Sequence, residues 1–363
     1  MTDVLLKKLV EFKTITRDQN ENAKAFQWIK DQIKGLPVFI KDFKSDGFPS
    51  LLITTRKTKT PKVWLVAHMD VVHASGKMFK PKIKGNELYG RGVFDMKFAI
   101  ASYLNLLRDI NQDLKNYDFG IMLVSDEEIG GFNGVGKLVE KGYRSEVILL
   151  PDGGENWKFV EAAKGVFSVT VTSKGQSAHG ARIWLGKNAI NNLMDFLTLL
   201  RKEFEVEPCN NKSHFHTTLN IGKISGGKAT NQVPDYAEAN LDIRFVPSTN
   251  FDELEKRINL IKKKFTDIDF EIKTKSISYE IDKNDKYLKQ FIQILNAKKI
   301  KTSFLKSHGS SDARFFLEKG IPAILIRPVG GNLHSEKEWI DIKSLEVFYE
   351  VLKEFIKVTL NKK

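Results

Sequence analysis

Short apolar runs alternate along the chain with longer segments in which apolar positions recur at helical spacing. The clearest runs are residues 63–67 (VWLVA), 119–124 (FGIMLV), 146–150 (EVILL) and 323–327 (AILIR). Residues 99–110 (AIASYLNLLRDI) and 345–360 (LEVFYEVLKEFIKVTL) have the spacing of amphipathic helices. Strands that alternate with helices are typical of a largely parallel sheet covered on both faces. We therefore predict an α/β fold with a mostly parallel mixed sheet flanked by helices.

The middle of the chain has a different pattern. Polar and apolar residues alternate in residues 167–175 (FSVTVTSKG), 217–227 (TTLNIGKISGG) and 237–247 (AEANLDIRFVP). This alternation indicates strands with one exposed face, and helical segments lie between and after them. We predict an inserted α+β domain over residues 164–275, which interrupts an α/β domain formed by residues 1–163 and 276–363.

The composition, with 41% apolar and 28% charged residues in a chain of 363, is typical of a soluble globular protein. No apolar run approaches the roughly 18 residues that a membrane span requires, and the start, MTDVLLKKLVEF, lacks the order of a secretory signal. The net charge of +13 comes from lysines scattered along the chain, which favours a solvated surface over a nucleic-acid groove. We expect a cytoplasmic protein that binds neither membranes nor nucleic acids.

Acidic and imidazole side chains follow all four of the predicted parallel strands. They are, in chain order, His68, Asp70, Asp126, Glu127, Glu128, Asp152 and His334. Each one alone is more typical of a turn or of the surface. However, the carboxyl ends of parallel strands meet at one edge of a sheet, where ligands bind. Four strand ends with the same feature favour a site, and such a cluster of negative charge is unfavourable unless cations neutralise it.

The available ligand atoms are carboxylate oxygens and imidazole nitrogens. The only cysteine, Cys209, lies in a polar stretch with no second thiol beside it, so it can form neither an internal disulfide nor a thiolate cluster. Oxygen and nitrogen ligands suit zinc in an open catalytic site, with cobalt or manganese as alternatives.

A series of motifs in this order resembles a known enzyme family. The motifs are AHMDVV, GRGVFDMK, SDEEIGG, PDGG, SAHGA, NQVPD, DIR, HGSSD and HSEKEW. They are similar to those of the co-catalytic zinc peptidases, which include aminoacylase, carboxypeptidase G, bacterial dipeptidases, succinyl-diaminopimelate desuccinylase and acetylornithine deacetylase. One departure is that Phe98 and Ala99 follow DMK, where many relatives have two glycines. We expect this difference to alter helix packing near the site but not the metal ligands.

The resemblance implies two Zn²⁺ ions in each subunit. Asp95 would bridge both ions. His68 and Asp152 would complete the site of one ion, and Glu128 and His334 would complete the site of the other.

Three further residues would act during catalysis. By resemblance, Glu127 is the general base that takes a proton from the attacking water and later protonates the leaving amine. Asp70 is expected to orient the His68 imidazole through its second ring nitrogen. His179 would stabilise the oxyanion in the site of a neighbouring subunit, which predicts a homodimer formed through the inserted domain. We expect the inserted domain also to act as a lid that closes over the metals and excludes water.

The resemblance also indicates the class of substrate. Arg244 and Asn231 would bind a free carboxylate of the substrate, assisted by Ser310 and Ser311. We expect small peptides or N-acyl amino acids to be cleaved at one amide bond, with a preference for peptides. The alternatives are a biosynthetic deacylase acting on succinyl-diaminopimelate or acetylornithine, and, from a different class, a non-catalytic metal-binding protein on the same scaffold.

Overall fold

The computed structural model describes residues 1–204 and 214–360, so Cys209 lies outside the described residues. The chain forms two compact units. The first contains Met1–Glu161, Ile281–Leu305 and the chain from Ser311 onward, and the second contains Ala162–Glu280 and Lys306–Ser310. The role of the second unit as a lid and dimerisation domain stays a prediction.

The strands and helices follow the order that the hydrophobic pattern suggests, with additional elements at the N-terminus. The strands are β1 (Phe39–Ser45), β2 (Phe48–Thr54), β3 (Val63–His68), β4 (Lys82–Lys84), β5 (Glu87–Tyr89), β6 (Phe119–Val124), β7 (Val147–Leu149), β8 (Lys158–Ala163), β9 (Gly165–Lys174), β10 (Thr218–Gly226), β11 (Tyr236–Phe245), β12 (Ile268–Ser276), β13 (Tyr279–Glu280), β14 (Ser303–Ser307), β15 (Ala323–Ile324), β16 (Gly330–Gly331) and β17 (Trp339–Asp341). The helices are α1 (Thr2–Glu11), α2 (Gln19–Gln32), α3 (Lys97–Asp109), α4 (Lys137–Glu140), α5 (Ala189–Phe204), α6 (Phe251–Lys262), α7 (Lys286–Ala297), α8 (Ala313–Leu317) and α9 (Ile342–Leu360).

The main sheet of the first unit has the order β1-β2-β6-β3-β7-β15. Strand β3 is parallel to β6 and β7, and β15 is parallel to β7, whereas β1 and β2 pair antiparallel at one edge. Every residue of β3 and β6 is buried, as expected for parallel strands covered on both faces. The predicted fold class is confirmed, and the carboxyl ends of β6, β3, β7 and β15 share one edge.

The strand predicted over residues 323–327 is shorter than expected. Strand β15 ends at Ile324. The chain then pairs with β8, because Leu325 O accepts a hydrogen bond from Val160 N and Ile326 forms a bridge with Phe159. The apolar pattern could not reveal this change of partner, since both pairings bury the same side chains.

The second unit contains an antiparallel sheet of order β10-β11-β9-β12. Burial alternates along β9 and β11, and the buried face packs against α5 and α6 through residues such as Phe167, Phe196, Leu241 and Ile258. Strand β10 lies at an edge of this sheet.

Among the described helices, none combines the length and apolar composition that a bilayer crossing requires.

Candidate metal centre

Three of the predicted site residues follow directly from the parallel strands. His68 is the last residue of β3, and Asp152 follows the end of β7. Glu127 begins a short 3₁₀ turn, Glu127–Ile129, just after β6. Asp95 precedes helix α3, and His334 lies in the connection between β16 and β17. Parallel strand pairing therefore accounts for the convergence of His68, Glu127 and Asp152.

The acidic and imidazole groups form two clusters with the spacing of metal ligands. In one, ligand atoms of His68, Glu127 and Asp152 all lie within 4.8 Å of one another. In the other, the same is true of Asp95, Glu128 and His334. His68 Nε2 lies 3.4 Å from Asp95 Oδ1, so the two clusters adjoin.

The second cluster is held together by contacts to the carboxylate oxygens of Asp95 and Glu128. His334 Nε2 lies 3.0 Å from Asp95 Oδ2 and 3.3 Å from Glu128 Oε2. The other oxygen of Glu128 accepts a hydrogen bond from the Val72 amide at 3.3 Å. One oxygen of Glu128 therefore remains directed at the cluster.

Asp70 contacts His68 through its main chain and the turn of the two glutamates through its carboxylate. The Nδ1 atom of His68 lies 2.9 Å from the main-chain oxygen of Asp70, and its carboxylate is farther away, at 3.6 Å. The carboxylate accepts hydrogen bonds from the amides of Glu127 and Glu128 and from the Thr16 hydroxyl. Asp70 thus orients the His68 ring through its backbone and holds the turn that carries both glutamates.

The residues present fit a metal ion. His68 Nε2 is buried and has no hydrogen-bond partner among the described residues. In a neutral imidazole one ring nitrogen carries no proton and acts as an acceptor, so Nε2 can serve as a metal ligand. It faces carboxylates, and oxygen with imidazole nitrogen is a ligand set that zinc accepts.

The electrostatics of the cluster also favour a cation. Burial, together with the nearby Asp152 carboxylate, raises the pKa of Glu127 well above its ordinary value. Burial also raises the pKa of Asp152. Hydrogen bonds to Asp95 and Glu128 raise the pKa of His334 to about 10. Carboxylates in such surroundings ionise readily only when positive charge compensates them.

Three charged residues at this site received no role from the sequence. The buried Arg327 donates hydrogen bonds to Asp95 and Asp152. The buried carboxylate of Glu338 accepts hydrogen bonds from Arg91 and from the amides of Gly92, Phe94 and Asp95. Glu338 therefore holds the loop that presents Asp95.

Asp312 is the third of these residues. Burial raises its pKa to about 8, and neither carboxylate oxygen has a hydrogen-bond partner among the described residues. Gly131 has a left-handed φ of +62°, and a Cβ atom there would collide with the Asp312 carboxylate. Glu338 and Asp312 belong to the motifs HSEKEW and HGSSD, and these motifs are the sequence feature that could have identified them. Their contacts could not be predicted, because their partners are remote in sequence.

Of the predicted residues in the second unit, His179 and Asn231 are neighbours. The Gly180 amide donates a hydrogen bond to Asn231 O at 2.7 Å, and His179 bridges to Gln232. The exposed His179 accepts a hydrogen bond from the Ala181 amide at Nδ1, which leaves Nε2 available.

Arg244 lies at the opposite end of the same sheet. It is near the end of β11, whereas Gln232 precedes the start of that strand at Tyr236. At a rise of roughly 3.3 Å per residue, Tyr236 and Arg244 are about 26 Å apart. Arg244 Nε contacts both carboxylate oxygens of Asp242 at 3.0 Å.

The two serines differ in their surroundings. The hydroxyl of Ser310 lies 3.5 Å from that of Ser276. Ser311 is buried, and its main-chain oxygen accepts a hydrogen bond from Arg314 at 2.8 Å.

Comparison with known proteins identifies the family. Residues 64–358 match the family model described as peptidase family M20/M25/M40. The chain belongs to this peptidase family. The resemblance of its motifs is thereby confirmed, and this M20-family protein is a metal-dependent enzyme that hydrolyses amide bonds.

The M20-family chain is similar over its whole length to several proteins. It is 27% identical to succinyl-diaminopimelate desuccinylase of Pelagibacter ubique, over 97% of each chain. It is 25% identical to the protein of the same name from Rickettsia bellii, over 99% of this chain and 97% of the other. Its fold matches a tripeptidase from Staphylococcus aureus, with a TM-score of 0.79 at 20% identity over 99% and 98% of the two chains. It also matches human carnosine dipeptidase 1, with a TM-score of 0.71 at 15% identity over 98% and 95%.

Proposed function

We propose that this M20-family protein is a di-zinc hydrolase that cleaves one amide bond in small peptides or N-acyl amino acids with a free carboxylate. The observation that carries the proposal is the pair of adjoining clusters, each with three potential ligands, at the carboxyl edge of the parallel strands. A single ion would leave part of this cluster of carboxylates without compensation.

The ligands in this proposal are divided between two ions. His68, Asp95 and Asp152 would hold one ion, and Asp95, Glu128 and His334 would hold the other. When bound, the ions polarise the amide carbonyl and lower the pKa of a water molecule at the site.

Glu127 then acts as the base. Its raised pKa suits a group that accepts a proton from water and returns it to the leaving amine. The same carboxylate lies close enough to His68 and Asp152 to act as a ligand instead. The two roles differ in their effect on metal binding, which is measurable.

We further propose that the enzyme is a homodimer formed through the second unit. Asn231 precedes the start of β11 and Arg244 is near its end, and the strand from Tyr236 to Arg244 spans about 26 Å, which is longer than a small substrate. Contacts from both regions to one substrate would require a second copy of the chain. The second unit exposes a run of apolar side chains, with Trp184 74% exposed between Ile183 and Leu185, and such patches often mark interfaces.

A second candidate function is the deacylation of succinyl-diaminopimelate. It is favoured by the curated relatives that carry this name and match nearly the whole chain at 25 to 27% identity. The tripeptidase and carnosine dipeptidase 1 are less similar in sequence, at 20% identity or lower. In this function, Arg244 would bind a carboxylate of the substrate.

A substrate panel distinguishes these candidates. Chelator-treated protein would be assayed with dipeptides, tripeptides, N-acyl amino acids and succinyl-diaminopimelate, before and after addition of zinc, cobalt or manganese. Metal-restored cleavage of peptides or simple N-acyl amino acids supports the first function, and cleavage of succinyl-diaminopimelate alone supports the second. No cleavage by protein that verifiably holds metal would contradict both and favour a non-catalytic binding protein.

A further inference from the structure

Arg327 places a permanent positive charge among the proposed metal ligands. Its side chain is almost fully buried, at 6% exposure. Its Nη2 atom lies 2.8 Å from Asp95 Oδ1 and 2.6 Å from Asp152 Oδ1. Because a guanidinium keeps its proton throughout the physiological range, this charge persists whatever else binds there.

The position of Arg327 is fixed by a column of aromatic rings. Its guanidinium carbon lies 5.4 Å from the centroid of the Phe94 ring. Phe94 stacks on Phe98 at 6.3 Å, and Phe98 meets Phe348 of α9 edge-on at 5.3 Å. A guanidinium packed on an aromatic face has little freedom to move away.

The contacts of Arg327 are unequal between the two clusters. It touches Asp152, which belongs to one proposed site only, and it touches Asp95 through Oδ1, the oxygen beside His68 Nε2. The other oxygen of Asp95 faces His334, and neither Glu128 nor His334 forms an ion pair with Arg327. An ion held by His68, Asp95 and Asp152 would therefore lie near a like charge that already engages one oxygen of each of the two carboxylates.

We propose that Arg327 makes the two metal sites unequal, by weakening the site of His68, Asp95 and Asp152 relative to the site of Asp95, Glu128 and His334. This inference rests on the proposed two-ion function. Like charges in close proximity in a partly screened protein interior repel strongly enough to weaken a binding constant by several powers of ten. Relaxation reduces this effect, so we expect a difference of at least about tenfold.

The test is a titration of metal-free protein with Co²⁺, in which binding is measured by calorimetry and by visible absorption. The wild type should bind two ions with affinities that differ at least about tenfold. Arg327→Gln should strengthen the weaker step at least about tenfold, whereas Arg327→Lys, which keeps the charge, should remain close to the wild type. Arg108→Gln is the matched control, because Arg108 bonds to Gln32 rather than to a carboxylate, and it should bind like the wild type.

Two further measurements assign the weaker binding step to one of the two sites and distinguish a change in affinity from misfolding of the variant. In a His334→Ala background, the single remaining step should be the weak one, and it should strengthen when Arg327→Gln is added. Circular dichroism and thermal unfolding establish that each variant is folded. If Arg327→Gln is not folded, the His334→Ala variant still tests whether the remaining step is the weaker one. Two equal steps in the wild type, or an unchanged weak step in folded Arg327→Gln, would overturn the inference. Failure of the wild type to bind any ion would instead overturn the proposed function.

Discussion

Glu127 and Glu128 are adjacent in sequence but belong to different clusters. Glu127 lies with His68 and Asp152, and Glu128 lies with Asp95 and His334. The 3₁₀ turn that carries them projects successive side chains in different directions, and the Asp70 carboxylate anchors the turn through both backbone amides. A one-residue difference therefore separates a proposed base from a proposed ligand.

Because of this separation, we predict that Glu127→Ala and His334→Ala have opposite effects on metal content. Glu127→Ala should reduce turnover by about 10²-fold to 10⁴-fold or more, the range associated with a lost general base, while leaving the metal content close to that of the wild type. His334→Ala should lose metal, because it removes one of three ligands from its cluster. Turnover would be measured with the best substrate of the panel, and metal content by mass spectrometry after desalting.

Glu140→Gln provides the control, because Glu140 is exposed on α4 and forms an ion pair with Lys137, which is not a site residue. Its turnover and metal content should match those of the wild type. Loss of metal in Glu127→Ala would show that Glu127 is a ligand, and retained activity in both Glu127→Ala and His334→Ala would refute the assignment of the site.

Residue-level roles could be predicted where the signal is local. His68 and Asp152 stand at the ends of apolar strands, so their convergence follows from parallel pairing. Arg327 and Glu338 could not be assigned in this way. Their roles depend on buried partners far away in the chain, and an Arg at a strand end or a Glu in a loop is more often at the surface.

At the level of elements, apolar periodicity predicted the buried strands and the long helices but not the strands at the edges of the main sheet. Strands β3 and β6 agree with the predicted runs because both of their faces are covered. Strand β1 is largely exposed, so its sequence carries little periodic signal, and β15 changes partner after two residues. Periodicity reports burial, and it does not report which strand provides the burial.

The departure at Phe98 has a clear role in packing. Its ring is fully buried in α3 between Phe94 and Phe348, so it links the site loop to α9. Phe98→Ala should lower the free energy of unfolding by about 3–5 kcal/mol, because the surrounding rings cannot fill the space completely. Chemical denaturation of metal-free protein measures this change, and the number of bound ions should stay the same, since Phe98 is not one of the proposed ligands.

Phe39→Ala is the matched control for this substitution. Phe39 is half exposed on β1, and exposed positions usually change stability by no more than about 0.5 kcal/mol. A loss below about 1 kcal/mol in Phe98→Ala would mean that the aromatic column does not support the helix. A changed number of bound ions would mean that the column acts on the metal centre itself.

At the level of the whole molecule, the open question is whether one chain makes a complete site. The metal clusters lie in the first unit, and His179 lies in the second unit on an exposed loop. If His179 acts on the neighbouring subunit, each active site draws Glu127 from one chain and His179 from the other. Two inactive variants can then complement each other, as in other enzymes with shared sites between symmetric subunits.

Glu127→Ala and His179→Ala should each have little activity alone, yet their mixture should recover about one quarter of the wild-type rate after subunit exchange. Random pairing makes half of the dimers heterodimers, and each of these has one intact site. Sedimentation would establish the dimer, and Trp184→Asp should weaken it by placing a charge in the exposed apolar run. A wild-type monomer would contradict the dimer, and a stable dimer without recovery in the mixture would mean that His179 acts within its own chain or outside catalysis.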